Sequence, residues 1–415
     1  MKKIPIQPSE LEAFRSQSDP LADRVIETIM KRDDARSISE LFDQLIRNND
    51  YEKITLPNEV RTYFDETGKL PDWADAEKIK TGQQVFADYG PSICLLLLCK
   101  SLPEAYSCKK GAQVMYQTGR MEQGKDGSLN RFTRRLMETS QFVMNVCAPG
   151  GFGKDGNGVI TAQKVRLIHA TIRYYIQKGD HWNAAELGLP INQEDLAGTL
   201  QSFSALIIEG LKSLGVELSE QEKEGYYHVW RVAGHIVGLD PQLNPRDYAS
   251  GLKLGYAILD HQQSPSEAGT TLTQAVIHFM QEVIPGNVFH HSPEILMRYL
   301  LGNPTADMLE IPPEEGLWAK VLPRITHFIF KTEEKWEKRS PLFRELADHL
   351  SLAMLNGLLH YFNEYKTIRF YIPPSLKENW KLTESWKHYK TISPTIAGYR
   401  LAIEKKNSTI NNPSS

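Results

Sequence analysis

The chain is short of the features that mark several familiar classes. Its 415 residues include only four cysteines, Cys94, Cys99, Cys108 and Cys147. No two form a CxxC pair, and a chain of this size needs no disulfide stapling, so they read as reduced thiols of a cytoplasmic protein. Long apolar runs are missing: the longest, ICLLLLC at 93–99, falls far short of the ~20 residues of a membrane span and fits a buried core helix. The opening MKKIPIQPSELEAF has two lysines and no apolar stretch behind them, so neither a secretory signal nor a membrane anchor is expected. Charge of one sign is also missing, with 48 Lys and Arg against 51 Asp and Glu and a formal net charge of -3. With no basic run interleaved with aromatics and no zinc-finger spacing, nothing argues for a nucleic-acid partner. Alternating runs of β-branched residues are scarce, and only 361–372 invites a short strand.

Several chemistries lack their motifs. Asp33-Asp34 is followed by Ala-Arg, so the aspartate-rich magnesium motif of terpenoid synthases fails. None of the 12 histidines has a glutamate three residues before it, which removes the Glu-x-x-His pairs of di-iron bundles. His290 and His291 are adjacent, and adjacent residues on a helix point different ways. There is no GxSxG elbow. The glycine-rich segment CAPGGFGKDGNGVITAQ at 147–163 has no GK[ST] and no strand before it, so it is a poor phosphate loop. Asp155 and Asn157 hint at a calcium loop, but its twelfth position is Arg166 instead of glutamate. A connecting loop is the plain reading.

What the chain does have is helical patterning almost throughout. Short amphipathic helices are predicted at 10–15, 21–32 and 38–47, capped by Ser9, Asp19 and Ser37, as an N-terminal extension. A helix follows at 75–88. Gly90-Pro91 is expected to break the chain and start the ICLLLLC helix, and Pro103 to start another through Tyr106. A long helix at 130–146 puts Phe132, Leu136, Thr139, Phe142, Val143 and Val146 on one face. The next helix begins at Thr161 as its cap. Further helices are predicted at 193–211, 219–237, 245–260, 266–281, 293–300, 314–330 and 341–361, ahead of a polar, disordered tail. No repeat recurs at a fixed period. The fold class is therefore all-α, one large helical domain with an N-terminal helical extension. The boundaries are drawn at 1–72, 73–365 and 366–415.

The most informative stretch is QKVRLIHATIRYYI at 163–176. Offsets of three and four place Arg166, His169 and Arg173 one turn apart on one face. Val165, Ile168, Ile172 and Ile176 form the adjoining apolar stripe. Flanking cations disfavour protonation of an imidazole, and neutral imidazole is the form that binds a metal. Two arginines are also suited to the carboxylates of a porphyrin. Two readings stand on spacing alone. One is a haem helix with His169 as axial ligand. The other is a hydrogen-bonded boundary histidine between arginines that serve ordinary salt bridges.

Arg166-Leu-Ile-His169-Ala170-Thr-Ile-Arg173 resembles the R-x-x-H-A-x-x-R helix of an oxygenase family. That family includes the latex clearing proteins (rubber oxygenases) and the endoplasmic-reticulum oxygenase of mycophenolic acid biosynthesis. Other segments follow in the family's order. They are SLPEAY before Thr118-Gly119-Arg120, Arg135-Leu-Met-Glu138-Thr139, Gln193 to Thr199 with Phe203, and Tyr227-His-Val-Trp230 through Gly234-His235 to Gly238. The resemblance spans roughly 73–307. It implies an all-α fold around a pocket for haem b, with His169 on the iron and Thr199 on the same side. Glu138, Thr139 and Arg135 would bound the opposite, catalytic side, and Arg166 and Arg173 would support the cofactor.

The sequence departs from the rubber-cleaving branch at two places. A lysine precedes the threonine there, and here the position is Glu138, able to act as an acid–base group if buried. The glutamate base expected near Thr118–Arg120 has no clear counterpart, Glu122 being the nearest acid. The oxidant expected is dioxygen, with peroxide as the alternative. With neither a secretory signal nor a membrane anchor in view, a polymer is not the expected substrate; an apolar helical pocket favours a small apolar molecule, unsaturated or isoprenoid. A non-catalytic haem sensor or carrier and a haem-free scaffold are the contrasting readings. His235, in the apolar run AGHIVG, is read as a packed histidine.

Overall fold

The computed structural model describes residues 6–31, 57–120, 130–154, 156–179, 181–283 and 292–313. The predicted helices at 38–47, 314–330 and 341–361, the candidate strand, Glu122, the His290-His291 pair and the tail lie outside them. Among the described residues the chain is helical, with no strand and one isolated bridge between Cys108 and Gln263.

The N-terminal helices are α1 (Pro8–Phe14), α2 (Pro20–Met30) and α3 (Asn58–Thr67). The Asp19 carboxylate caps α2 as expected, whereas α1 is capped by Gln7 and not by Ser9. Leu11 and Phe14 of α1 belong to the main core. Arg15, only 1% exposed, reaches Glu194 at 3.1 Å and Asp195 at 2.8 Å and donates to the Leu187 carbonyl. An N-terminus described as an extension is thus stitched into the body through a buried ion pair.

The central helix α4 (Ala76–Leu96), capped by Asp75, runs without interruption into a π-helical turn at Leu97–Ser101 and then α5 (Leu102–Ser107). The predicted break at Gly90-Pro91 does not occur, since Pro91 lies inside α4. A proline removes one backbone donor and crowds the preceding turn. Here the flanking Gly90, Ser92 and Ile93 are buried, and packing along the whole helix outweighs that local cost. By length and composition, Ala76–Ser107 is long and apolar enough to cross a membrane, but 72% of its most apolar window is buried within the fold.

Next come α6 (Lys109–Arg120), α7 (Asn130–Cys147), α8 (Gly158–Lys178) and the short α9 (Ala184–Leu187). The helix predicted over 193–211 is two helices, α10 (Gln193–Phe203) and α11 (Ala205–Ser213), broken at Ser204 with φ -115 and ψ -90. The Ser204 hydroxyl donates to the Leu200 carbonyl, a local bond that competes with the helix ladder. Then follow α12 (Glu220–Val237), with a full Ser219–Glu222 capping box, α13 (Tyr248–Gln262), α14 (Glu267–Val283), α15 (Ser292–Leu301) and α16 (Asn303–Met308).

The core centres on the α4–α12 pair, the most extensive helix contact in the fold. Trp230 and Tyr226 of α12 are fully buried, with the Phe142 and Phe203 rings 5.8 and 5.3 Å from Trp230. A Cβ on Gly82 of α4 would sit 2.2 Å from the Gly225 carbonyl oxygen of α12, so the two backbones touch where neither residue has a side chain. A smaller apolar cluster joins Ala22, Ile26 and Ile29 of α2, Val60 and Tyr63 of α3, and Leu167 and Ala170 of α8. The histidine helix therefore lies between two cores.

Candidate active site

Helix α8 packs against α2, α7 and α12. Its N-terminus is set by Asn157 and not by Thr161. Thr161 lies inside the first turn, donating to the Asn157 carbonyl at 2.6 Å and accepting from Asn145 Nδ2 at 2.8 Å. The glycine-rich loop before it is pinned to α4, where Gln83 accepts from the Gly150 amide at 3.0 Å. The loop fixes α8 beside α7, as a connector does.

His169 stands in the middle of α8, half-buried. Desolvation, with a smaller push from the Arg173 cation and an opposing pull from Asp19, takes its pKa down to about 4. The ring is therefore neutral at physiological pH, and among the described residues it has no hydrogen-bond partner. A neutral, unengaged imidazole is the donor that an iron or other transition metal takes. Among the described residues no group of three or more His, Cys, Asp or Glu side chains gathers to hold a metal by itself. Single-histidine ligation of a porphyrin iron needs no such group.

The two arginines do share the face predicted for them, but both are already engaged. Arg166 pairs bidentately with Asp19, Nη2 to Oδ1 at 2.8 Å and Nε to Oδ2 at 2.5 Å, and donates to the Ile236 carbonyl. Arg173 reaches Asp23 at 2.7 Å and donates to the Ile191 carbonyl. Asp19 and Asp23 sit one turn apart at the start of α2, so the arginines clamp α2 across the histidine helix. In this structure their carboxylate partners are protein side chains, which leaves them a positional and electrostatic role. Gly238 completes the clamp: its φ of 92 is left-handed, and a Cβ there would lie 2.5 Å from both Arg166 Nε and Asp19 Oδ2.

Helix α7 contributes a different surface. A narrow cavity of about 40 Å³ lies between α7, the α4–π–α5 helix and Phe203, with apolar walls from Cys94, Leu98, Leu136 and Val143. Thr139 is one of its lining residues, and no described residue bonds its hydroxyl. Ser140 also lines the cavity, but its hydroxyl is tied to the Leu136 carbonyl at 2.8 Å. Arg135 donates weakly to the Met115 carbonyl at 3.4 Å; burial holds the Tyr106 hydroxyl well above the usual phenol range, and the Arg135 charge only partly opposes that. Glu138 is exposed at the solvent edge of α7.

The sequence reading and the geometry part in three places. Thr199, expected beside the histidine, is exposed and donates to the Asp195 carbonyl at 2.8 Å, because α10 turns that side outward. His235 is exposed, not packed, and lies edge-on to Trp73. His169 is not among the residues lining the cavity beside Thr139. Asp19 and Asp23 went unrecognised as partners; their one-turn spacing opposite an arginine pair two turns apart was the only signal.

The family model described as "ER-bound oxygenase mpaB/B'/Rubber oxygenase, catalytic domain" matches residues 112–329, more than half of the chain. The chain belongs to this oxygenase family. A curated relative, the rubber oxygenase of Streptomyces sp. (strain K30), is 24% identical over 318 residues, 75% of each protein. A solved structure described as latex clearing protein LCP in the closed state superposes with a TM-score of 0.72 at 20% identity, covering 90% of this chain and 96% of the other. That likeness establishes the all-α fold.

Proposed function

We propose that this chain is a haem b-dependent oxygenase acting on a slender apolar molecule, unsaturated or isoprenoid, with dioxygen as co-substrate. The observation that carries the reading is His169: neutral, partly enclosed and unengaged, on the helix whose motif defines the family resemblance. His169 would hold the haem iron, which when bound would supply oxygen activation. Arg173 helps keep the ring unprotonated and therefore competent to bind. Arg166, through Asp19, fixes the rotation of α8 against α2. The apolar wall of α7 and the π turn accommodates hydrocarbon, and the Thr139 hydroxyl offers one polar contact to orient an oxygen atom. Glu138 and Arg135, on the same helix, handle protons and charge from the solvent side. Reduced thiols suit a cytoplasmic setting, and all four cysteines are free.

The test is expression with haem precursor supplied, haem quantified per chain, then oxygen uptake with squalene as a short isoprenoid. One haem per chain and substrate-dependent oxygen consumption are expected. Haem without any oxygen consumption across a set of unsaturated hydrocarbons would overturn the oxygenase reading in favour of a carrier or sensor. Failure to take up haem would overturn it altogether.

A further inference from the structure

A second cluster of chemistry-bearing residues lies on α12. His228, Arg231 and His235 recur at i, i+3 and i+7 and share one face. Trp73, in the loop before α4, lies against that face. Its ring centroid is 5.8 Å from each imidazole, edge-on at 79°. The Arg231 guanidinium carbon stands 3.7 Å from the Trp73 centroid. Trp73 remains 37% exposed, and His235 is exposed as well.

Stacking on an indole orders a long side chain and attracts its charge, but it uses none of the guanidinium N–H groups. Arg231 Nε is buried with no hydrogen-bond partner, and no described residue accepts from either terminal nitrogen. The nearby acids are occupied: Asp75 accepts from the Glu77 and Lys78 amides, and Asp247 from the Ser250 amide. The balance of charge acting on this face is positive. Arg231 and Lys78 act on His228, Arg166 and Arg231 on His235, and Arg246 on Arg231, against Asp75 and Asp247. His228 is committed, its Nε2 accepting from the Asp75 amide at 2.9 Å, so His235 is the imidazole left open.

An arginine fixed by stacking, with its donor edge unused and no acid paired to it, is built to receive an oxyanion. We propose that Trp73, Arg231 and His235 form a binding site for a phosphate or carboxylate group, separate from the α7–α8 site. Arg231 supplies paired donors, His235 a third, and Trp73 holds the arginine in place. Binding does not depend on haem or on oxygenase activity.

The experiment titrates inorganic phosphate, and separately acetate, into the full-length protein, followed by calorimetry and by the NMR titration of His235. Saturable binding of one anion per chain is expected, with the His235 midpoint moving upward as the anion stabilises the imidazolium. Arg231→Gln should weaken binding about ten-fold or more. His235→Gln, an exposed change that leaves packing intact, should weaken it less, and Lys80→Gln should not change it. A second arm adds vesicles containing phosphatidate, or neutral lipid alone. Binding of phosphatidate vesicles without binding of free phosphate assigns the oxyanion to a lipid headgroup, and binding of both assigns it to the free anion. No binding of any oxyanion at millimolar concentration, or equal binding by the Arg231 and His235 variants and the unaltered protein, would overturn the proposal.

Discussion

Two seams border the candidate site, and they are built in opposite ways. Between α4 and α12, backbone meets backbone at Gly82 and Gly225, and Phe86 of α4 and Tyr226 and Trp230 of α12 are fully buried in the same core. Between α2 and α8, the contact is drawn together by Arg166–Asp19 and Arg173–Asp23 around a small apolar cluster. The first seam takes its stability from apolar burial and close packing, which neither salt nor pH addresses directly. The second depends on the charge state of two aspartates and on the screening of partly buried pairs. The difference teaches that the histidine helix rests on a rigid floor and is covered by a charge-held helix, so the cover is the responsive part.

The largest expected effect breaks the dry seam. Gly82→Ala places a methyl 2.2 Å from the Gly225 carbonyl oxygen, and neither backbone can yield cheaply. Urea unfolding should show a loss of about 3 kcal/mol, unchanged between low and high salt. A smaller loss comes from the ionic seam. Asp19→Ala leaves the largely buried Arg166 with only a carbonyl, at a cost of about 2 kcal/mol, and the loss should shrink as salt rises. Arg166→Ala in the same chain should recover part of it in a double-mutant cycle.

Acid sharpens the contrast further. His169 and His228 are both held neutral, burial being the first cause, with values pushed down to about 4. In the unfolded chain a histidine protonates near 6.5, so between the two values the unfolded state binds more protons. Their stability contribution is complete above about pH 6.5 and is lost as pH falls toward 4. The expected loss is up to about 3 kcal/mol for each histidine, less where solvent screens the partly exposed ring, measured by thermal unfolding at stepped pH. His228→Gln should flatten part of that slope. The smallest effect on stability is Thr139→Val, within about 0.5 kcal/mol because the hydroxyl has no partner among the described residues. Substrate-dependent oxygen uptake should nevertheless fall by about ten-fold, the worth of one lost hydrogen bond to an oriented oxygen.

Local signals in the sequence carried much of the fold. The Ser219–Glu222 box, the Asp19 cap and Gly238 at the end of α12 each announce a helix end through backbone chemistry alone. Pro91 misled because the packing of a long buried helix outweighed one missing donor, and Ser204 because a side-chain bond broke an otherwise uniform pattern. At the site, periodicity placed Arg166, His169 and Arg173 on one face. It could not supply their partners, since Asp19 and Asp23 lie 147 and 150 residues away in the chain. His235 looked packed because its neighbours in sequence are apolar, yet they bury on the other side of α12. Thr199 looked internal by resemblance, and only the rotation of α10 shows it facing outward. Long-range pairing decides such details, and one chain read alone does not contain it.

The central claim is that His169 is an iron ligand. The direct measurement is the ultraviolet–visible spectrum of the haem-supplied protein beside His169→Ala, with His235→Ala as the control histidine. A Soret band lost or shifted in His169→Ala and retained in His235→Ala is the predicted result. A Soret band unchanged by removing His169, or no band in the unaltered protein, would contradict it.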